Sequence, residues 1–594
     1  MERSSVENKY KWKIEDIFAS DEEWENYFKE TEKYLDFKHY EGTLTSAENV
    51  AKMFRAQEEA SIRIERLHLY AHMRHDEDSR ASEYTSMQSR SMSLYVQFSS
   101  AISFVDPELT ALPAEILQSF ATDKRLSDYD YYFRQLIRGK EHILSANEEK
   151  ILAMGGEVYS QFHEIFGMID NADIKLGCVT DADGNEIPLT HGMYGVILHG
   201  EDRELRKKAF EAYYDAYISL KNTIAATYFG NVKKDVFLSR ARNYSSCLER
   251  ALDGEDVNVV VYKNLLDSVD ASLPSMHRYI RDRKKIMKLD EQHMYDIYAP
   301  LVSDAEMKLS YEEACDLVVR GLAPLGKDYQ ALLQKGFSEG WVDVMETTGK
   351  RSGAYSTGIF GLHPYVLLNY QPTTHDVFTI AHEMGHSLHT YFSNQNQPYA
   401  KADYRIFVAE VASTVNEVLL LKYVLSTTED VNLKKYLLAY YLDTIRTTLH
   451  RQTMFAEFEY VAHDMVEKGE ALTSDNLSAA YLKLNEKYYG DGIVHDWQIA
   501  HEWSRIPHFY TSFYVYKYST GIISAISIAS RILKEGESAV RDYKAFLSSG
   551  GSDSPVELLK IAGVDLTERK AFDTAMREFD DTLKEFETLN GIEN

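Results

Sequence analysis

His382, Glu383 and His386 have the types and spacing that could do chemistry. They stand in the run Ala381-His382-Glu383-Met384-Gly385-His386-Ser387-Leu388-His389-Thr390. Positions i and i+4 share one face of a helix, so two imidazoles placed this way can bind one zinc ion. Glu383 then stands close enough to take a proton from a zinc-bound water, the chemistry of peptide hydrolysis. With 20 His in 594 residues, a chance His-Glu-x-x-His has a probability on the order of one in twenty. The flanks argue against chance. Val377-Phe378-Thr379-Ile380-Ala381 runs straight into the motif, and Met384, Leu388 and Phe392 continue an apolar stripe. A helix this apolar is predicted to be largely buried, and its polar groups then need a partner such as a metal. Gly385 costs about 1 kcal/mol against Ala in a helix interior. It predicts a close neighbour at that turn, the helix carrying a third ligand.

Catalytic zinc usually takes three protein ligands and keeps one position for water. Glu410 lies among Phe407, Val408 and Val411. A carboxylate on an apolar helix surface is costly unless it is paired or bound to metal. Glu410 is therefore the candidate third ligand, with a buried salt bridge as the alternative. Glu417, two turns further along the same face, is a candidate to hydrogen-bond a ligand histidine. The aromatic run from Ile506 to Tyr518 adds His508, Tyr514 and Tyr518. An imidazole or phenol aimed at a tetrahedral oxyanion stabilises its charge. Tyr514 and Tyr518 are predicted to share a helix face, whereas Phe509, Phe513 and Tyr516 read as core. His501-Glu502 is an incomplete echo of the main motif, because position 505 is Arg.

These residues need elements to position them. Thr373 with Asp376 three residues on predicts a helix start. Tyr365-Val366-Leu367-Leu368-Asn369-Tyr370 reads as a strand, and its free edge could pair with an extended peptide. Gly349 to Gly358 fits neither phosphate-loop pattern. Its Gly353, Ala354 and Tyr355 are candidates to meet a peptide backbone, with an ordinary surface loop equally open. Ala47 to Met73 and Ser82 to Phe104 predict long antiparallel helices. Asp183-Gly184 predicts a hairpin turn between Ile174–Thr180 and Ile187–Thr190. The acids between Arg451 and Glu459 read as structural.

Composition bounds the rest. The chain exceeds one ordinary domain, and 11 Pro and 30 Gly indicate a helical protein with few long loops. A net charge of -28 disfavours nucleic acid and anionic membranes. No run approaches the roughly eighteen apolar residues of a membrane span. The N-terminus lacks the basic-then-apolar pattern of a signal peptide. Cys178, Cys247 and Cys315 are odd in number and far apart, which fits reduced thiols and a cytoplasmic location.

With the His382 motif and the Glu410 segment in hand, the chain resembles oligoendopeptidase F, a branch of the thimet oligopeptidase family of zinc peptidases. The likeness runs over nearly the whole chain. It includes Tyr10-Lys11-Trp12, Gly353-Ala354-Tyr355-Ser356, His382 to His386, Glu410-Val411-Ala412-Ser413 and Pro507-His508-Phe509-Tyr510. The resemblance implies a mostly α-helical, two-lobed zincin-type oligopeptidase with a deep central channel and a small β-sheet beside the zinc helix. Its expected division is an N-terminal helical lobe over 1–113, a helical segment with a hairpin over 114–204, and a catalytic domain over 205–594. It also implies one zinc per chain on His382, His386 and Glu410, Glu383 as general base, and His508 in the substrate loop. The implied substrates are short peptides, because the channel excludes folded proteins; the expected assembly is a monomer or weak homo-oligomer. The run Tyr510 to Tyr518 is spaced differently from that of the mammalian relatives, so Tyr514 and Tyr518 carry over less directly. Two rivals stay open, a helical metallocarboxypeptidase with the same motif and a catalytically silent peptide-binding protein.

Overall fold

Ser20, Ser46 and Thr373 each accept a hydrogen bond from the backbone N–H three residues on, and each starts a helix. The first N–H groups of a helix have no partner inside it, and such side chains supply one. The computed structural model describes residues 1–302, 305 and 307–592, and most of them are helical. In chain order the longest helices are α1 (Ala47–Glu77), α2 (Ser82–Ala101), α3 (Arg203–Ser219), α4 (Lys221–Ala241), α5 (Val259–Ile286), α6 (Thr374–Asn396), α7 (Ile406–Thr427), α8 (Arg451–Glu467), α9 (Tyr516–Glu535) and α10 (Lys570–Asn590). No described helix is long and apolar enough to cross a membrane.

The chain forms two compact units. One comprises Met1–Glu141, Met307–Ser426 and Ile528–Val564; the other comprises His142–Glu306, Thr427–Ser527 and Asp565–Asn594. These units cut across the consecutive division at 113 and 204, because the chain passes from one unit to the other several times.

The first unit carries α1, α2, α6 and α7 and a three-stranded sheet. Its strands are β3 (Val342–Asp343), β4 (Tyr355–Thr357) and β5 (Tyr365–Leu367), after the hairpin strands β1 (Cys178–Thr180) and β2 (Glu186–Pro188) of the other unit. The sheet order is β3-β5-β4, with β5 parallel to β3 and antiparallel to β4. The strand read at Tyr365 is thus the central one, and the expectation of a free edge there is corrected. All three β5 residues are buried, and an unbroken apolar run is the signature of a strand covered on both faces. The edge strands are β3 and β4, the latter being the Tyr355 segment.

An apolar core joins sheet and helices. Trp12, Phe54, Ile64 and Leu67 belong to the same buried cluster as Tyr365 and Leu367. The Trp12 ring meets Tyr365 edge-on, and its indole N–H donates to Glu77 Oε1 at 2.7 Å. Backbone bonds from Val344 N to Tyr10 O and from Lys13 N to Gly340 O tie the start of the chain beside β3. Lys350, inside the glycine-rich stretch, is an internal strut. Its ammonium is fully buried, pairs with Asp343 at 2.7 Å and donates to the Met345 carbonyl.

In the second unit the hairpin strands pair antiparallel with Val179 opposite Ile187. Gly184 takes φ +87° at the turn, where a side chain would be strained. Asp181 Oδ1 accepts from the N–H groups of Asp183 and Asn185, so this acid closes its own turn.

Candidate metal centre

The placement of α6 follows from its sequence. Val377, Ile380, Ala381, Met384 and Leu388 are all at most 1% exposed, and burying a side chain of Val, Leu or Ile size contributes about 1.5–3 kcal/mol. That stripe fixes the helix's rotation and leaves His382 and His386 half-buried, with ring nitrogens that converge. Their Nε2 atoms lie 3.1 Å apart. Glu410 Oε2, from α7, is 3.4 Å from the first and 3.5 Å from the second. Among the described residues, His382, His386 and Glu410 are grouped with ligand atoms within 4.8 Å of one another. Two imidazole lone pairs and a carboxylate oxygen aimed at one point can hold one metal ion.

Gly385 is what lets α7 come this close. A Cβ there would stand 2.5 Å from Ser413 Cα and 2.8 Å from the Ala412 carbonyl oxygen, so the neighbour expected from the glycine is α7 itself. Asn416 seals the contact, donating to the Ala381 carbonyl at 3.0 Å and accepting from the Tyr329 hydroxyl at 2.9 Å. Sequence reasoning passed over Asn416; its only signal was a polar residue in an apolar helix.

Glu417 reaches back to the first histidine. His382 Nδ1–H donates to Glu417 Oε1 at 2.7 Å, which orients the ring and turns Nε2 toward Glu410. Desolvation opposes protonation of His382, but its contacts to Glu410 and Glu417 outweigh that and hold its pKa up, to about 10. Hydrogen bonds from His382 and then His386 hold the Glu410 carboxyl well below the usual range. Glu410 is not buried as the apolar flanks suggested. Phe407, Val408 and Val411 are, but its own side chain is 45% exposed, so the pull on it is electrostatic and not desolvation. Glu383 is 7% exposed, and burial pushes its carboxyl up toward neutrality.

His389 completes a His-x-x-x-His-x-x-His spacing, yet it stands outside the cluster. Its ring is buried and stacks on Tyr404 at 3.7 Å, and Tyr404 hydrogen-bonds Thr390. The β4 edge strand lies beside α6. Ser356 and Ser387 hydroxyls hydrogen-bond at 2.8 Å, and Tyr355 is tied by its hydroxyl to Asp76 at 2.9 Å. Asn369 Nδ2 donates to the Gly353 carbonyl at 2.8 Å, and a Cβ on Ala354's neighbour Gly353 would meet nothing within 4 Å.

The remaining candidates fall in the second unit. His508 is exposed, and Tyr514 and Tyr518 are half-buried. The three rings cluster. Tyr518 is 6.0 Å and Tyr514 6.3 Å from His508, and the two tyrosines are 5.5 Å apart. Tyr518 Oη and His508 Nε2 stand 3.5 Å apart. Tyr514 precedes α9 and so does not share a helix face with Tyr518, a correction to the periodicity; the chain turns at Phe513 (φ +58°) and starts the helix only at Tyr516. Phe509, Phe513 and Tyr516 are core, at most 3% exposed. His501-Glu502 is internal as well. His501 Nδ1 meets Ser478 Oγ, and Glu502 pairs with Arg451 and Arg505.

Residues 196–578 match Peptidase family M3, and residues 108–175 match Oligopeptidase F. Oligopeptidase PepF of Bacillus subtilis is 44% identical over 99% of this chain and 88% of its own length. Group B oligopeptidase PepB of Streptococcus agalactiae is 38% identical over 100% of this chain and 99% of its own. Among solved structures, oligoendopeptidase-F from Enterococcus faecium superposes with a TM-score of 0.74 at 34% identity, covering 96% of this chain and 100% of its own. A crystal structure from Chlamydophila abortus gives 0.94 at 36% identity over 99% of both chains.

Proposed function

The chain belongs to peptidase family M3 and is a metalloendopeptidase, and on that premise we propose that it is a zinc-dependent oligopeptidase that cuts internal bonds of short, unstructured peptides. The observation that carries the metal is the spacing of the three donor atoms. Tetrahedral zinc with bonds of about 2.0–2.1 Å sets its ligand atoms about 3.3–3.4 Å apart. His382 Nε2, His386 Nε2 and Glu410 Oε2 stand 3.1, 3.4 and 3.5 Å apart. Two imidazoles with one carboxylate are also a donor set that zinc peptidases use.

A zinc ion held by His382, His386 and Glu410 would supply Lewis acidity and lower the pKa of its water toward 7. Glu383 would accept the proton of that water and deliver it to the leaving amine; burial raises its carboxyl above the usual value, the direction that suits both transfers. Glu417 keeps His382 in the ligating tautomer. His508, with Tyr514 or Tyr518, donates hydrogen bonds to the tetrahedral oxyanion; their clustering supports assigning them one task. Gly353 and Ala354, just before β4, and Tyr355 at its start receive the extended peptide backbone. Residues 205–594 contain every one of these groups and form the catalytic part of the 1–113, 114–204 and 205–594 division. The proposed location is the cytoplasm.

The test joins metal analysis of the purified protein to cleavage of one internally quenched peptide blocked at both ends, with and without chelator. The expected result is about one zinc per chain and internal cleavage that stops with chelator and returns with zinc. Zinc without internal cleavage, but with trimming of a free C-terminus, would replace this reading with a carboxypeptidase. Neither zinc nor cleavage after zinc is added back would end it.

A further inference from the structure

Four described residues other than glycine have positive φ: Asn243, Asp256, Lys288 and Phe513. Three are polar residues. Phe513 is the bulky aromatic, and a left-handed backbone at such a residue persists only where its surroundings over-determine it. Its surroundings do. The Phe513 N–H donates to Glu459 Oε1 at 2.9 Å. Ser512 Oγ donates to Asp235 Oδ2 at 2.7 Å. Asn231 Nδ2 donates to the Phe509 carbonyl and to Ser512 Oγ, both at 3.3 Å. The Phe513 ring lies 4.5 Å from that of His463 and 6.0 Å from that of Tyr262. Two helices, α4 with Asn231 and Asp235 and α8 with Glu459 and His463, thus grip one turn from the inside.

On the other side of this turn stand His508, Tyr514 and Tyr518. The left-handed residue reverses the chain, so a phenylalanine 3% exposed is followed at once by a half-buried tyrosine whose ring packs 5.5 Å from Tyr518. Turn strain of this kind gathers at functional sites. We propose that Glu459 is a positioning residue, which by accepting the Phe513 N–H sets the turn that presents His508, Tyr514 and Tyr518 as one group. This rests on the role given above to those three side chains.

The chemistry of Glu459 fits a neutral acceptor. Its side chain is completely buried, and Oε2 has no hydrogen-bond partner among the described residues. Burial pushes its carboxyl well above the usual range, and Asp235 adds to the shift. A neutral carboxyl brings no charge into the core and still offers a carbonyl oxygen to the amide. Glutamine offers the same acceptor in the same shape.

The experiment compares Glu459→Gln, Glu459→Ala, His508→Ala and the double variant Glu459→Ala/His508→Ala. It reads kcat and KM on one quenched peptide, with zinc content measured for each. Glu459→Ala is expected to lower kcat at least about tenfold with zinc retained and KM within about threefold, a loss confined to the transition state. Glu459→Gln is expected to restore kcat to within about threefold. The double variant is expected to lose clearly less than the product of the two single losses, because Glu459 acts through the group to which His508 belongs. A purely structural role predicts losses that multiply, and that outcome would overturn the proposal. So would a normal kcat for Glu459→Ala beside a slow His508→Ala, and the oxyanion reading would survive it. A normal His508→Ala would remove that reading and the proposal together. Where Glu459→Ala does not fold, Ser512→Ala carries the same cycle, since it removes the second anchor from a half-buried side chain.

Discussion

Glu383 and Glu417 flank the same histidine and are expected to fail in different ways. Glu383 is buried beside the ligands but is not among the three converging atoms. Glu383→Gln keeps its shape and removes the base. The expected outcome is about one zinc per chain with kcat lowered about 10²–10⁴-fold, checked by metal analysis beside peptide turnover. Glu417 acts through His382 Nδ1. Glu417→Gln replaces an ionised acceptor by a neutral amide, so zinc affinity should fall about 10–100-fold, read by competition with a chelator of known affinity. His389 marks the limit of residue-scale reading. It has the right type and a plausible spacing, yet it spends its ring on Tyr404.

The candidate metal centre draws its donors from two helices, and the contact between them sets the spacing of those donors. Gly385 is where they touch, at backbone distance. Replacing it by Ala would gain about 1 kcal/mol of helix propensity. The new methyl, however, must displace Ser413 Cα from 2.5 Å, and overpacking costs about 1–3 kcal/mol. The cost wins, and it falls on the spacing between His386 and Glu410. Gly385→Ala is expected to lower the melting temperature and to weaken zinc binding together, by calorimetry and metal titration. The helix starts at Thr373 and Ala47, the hairpin and the burial of the His382 helix were legible because capping and periodicity are local. The middle position of the Tyr365 strand and the break before Tyr516 were not. Which strands flank β5 is not written in its own segment, and the partners of Glu459 and Ser512 lie 54 and 277 residues away in the chain.

At the scale of the whole molecule, charge buried in the second unit sets tolerance to acid. Burial alone would raise the Glu502 carboxyl, but Arg451 and Arg505, with the Tyr481 hydroxyl, hold it down to about 2. A folded pKa below the unfolded one gives stability that is present above the unfolded value near pH 4.5 and lost as pH falls toward 2. The shift corresponds to about 3 kcal/mol at most. Glu502→Gln should therefore melt well below the parent near neutral pH, and the gap should close as pH drops through about 4 to 3. A gap that stays constant over that range would remove Glu502 from the acid response. By itself the sequence determined the chemistry on offer: two histidines and a glutamate on one helix face, a distant glutamate in an apolar helix, and a histidine among tyrosines. It also determined mostly helical elements, because capping and hydrophobic period act over a few residues. Only the tertiary structure decided that Glu410 and Glu417 reach the histidines, that His389 does not, that β4 is an edge strand, and that the backbone turns left-handed at Phe513. Each of these depends on where elements distant in sequence come to rest, and that is set by the packing of the core as a whole.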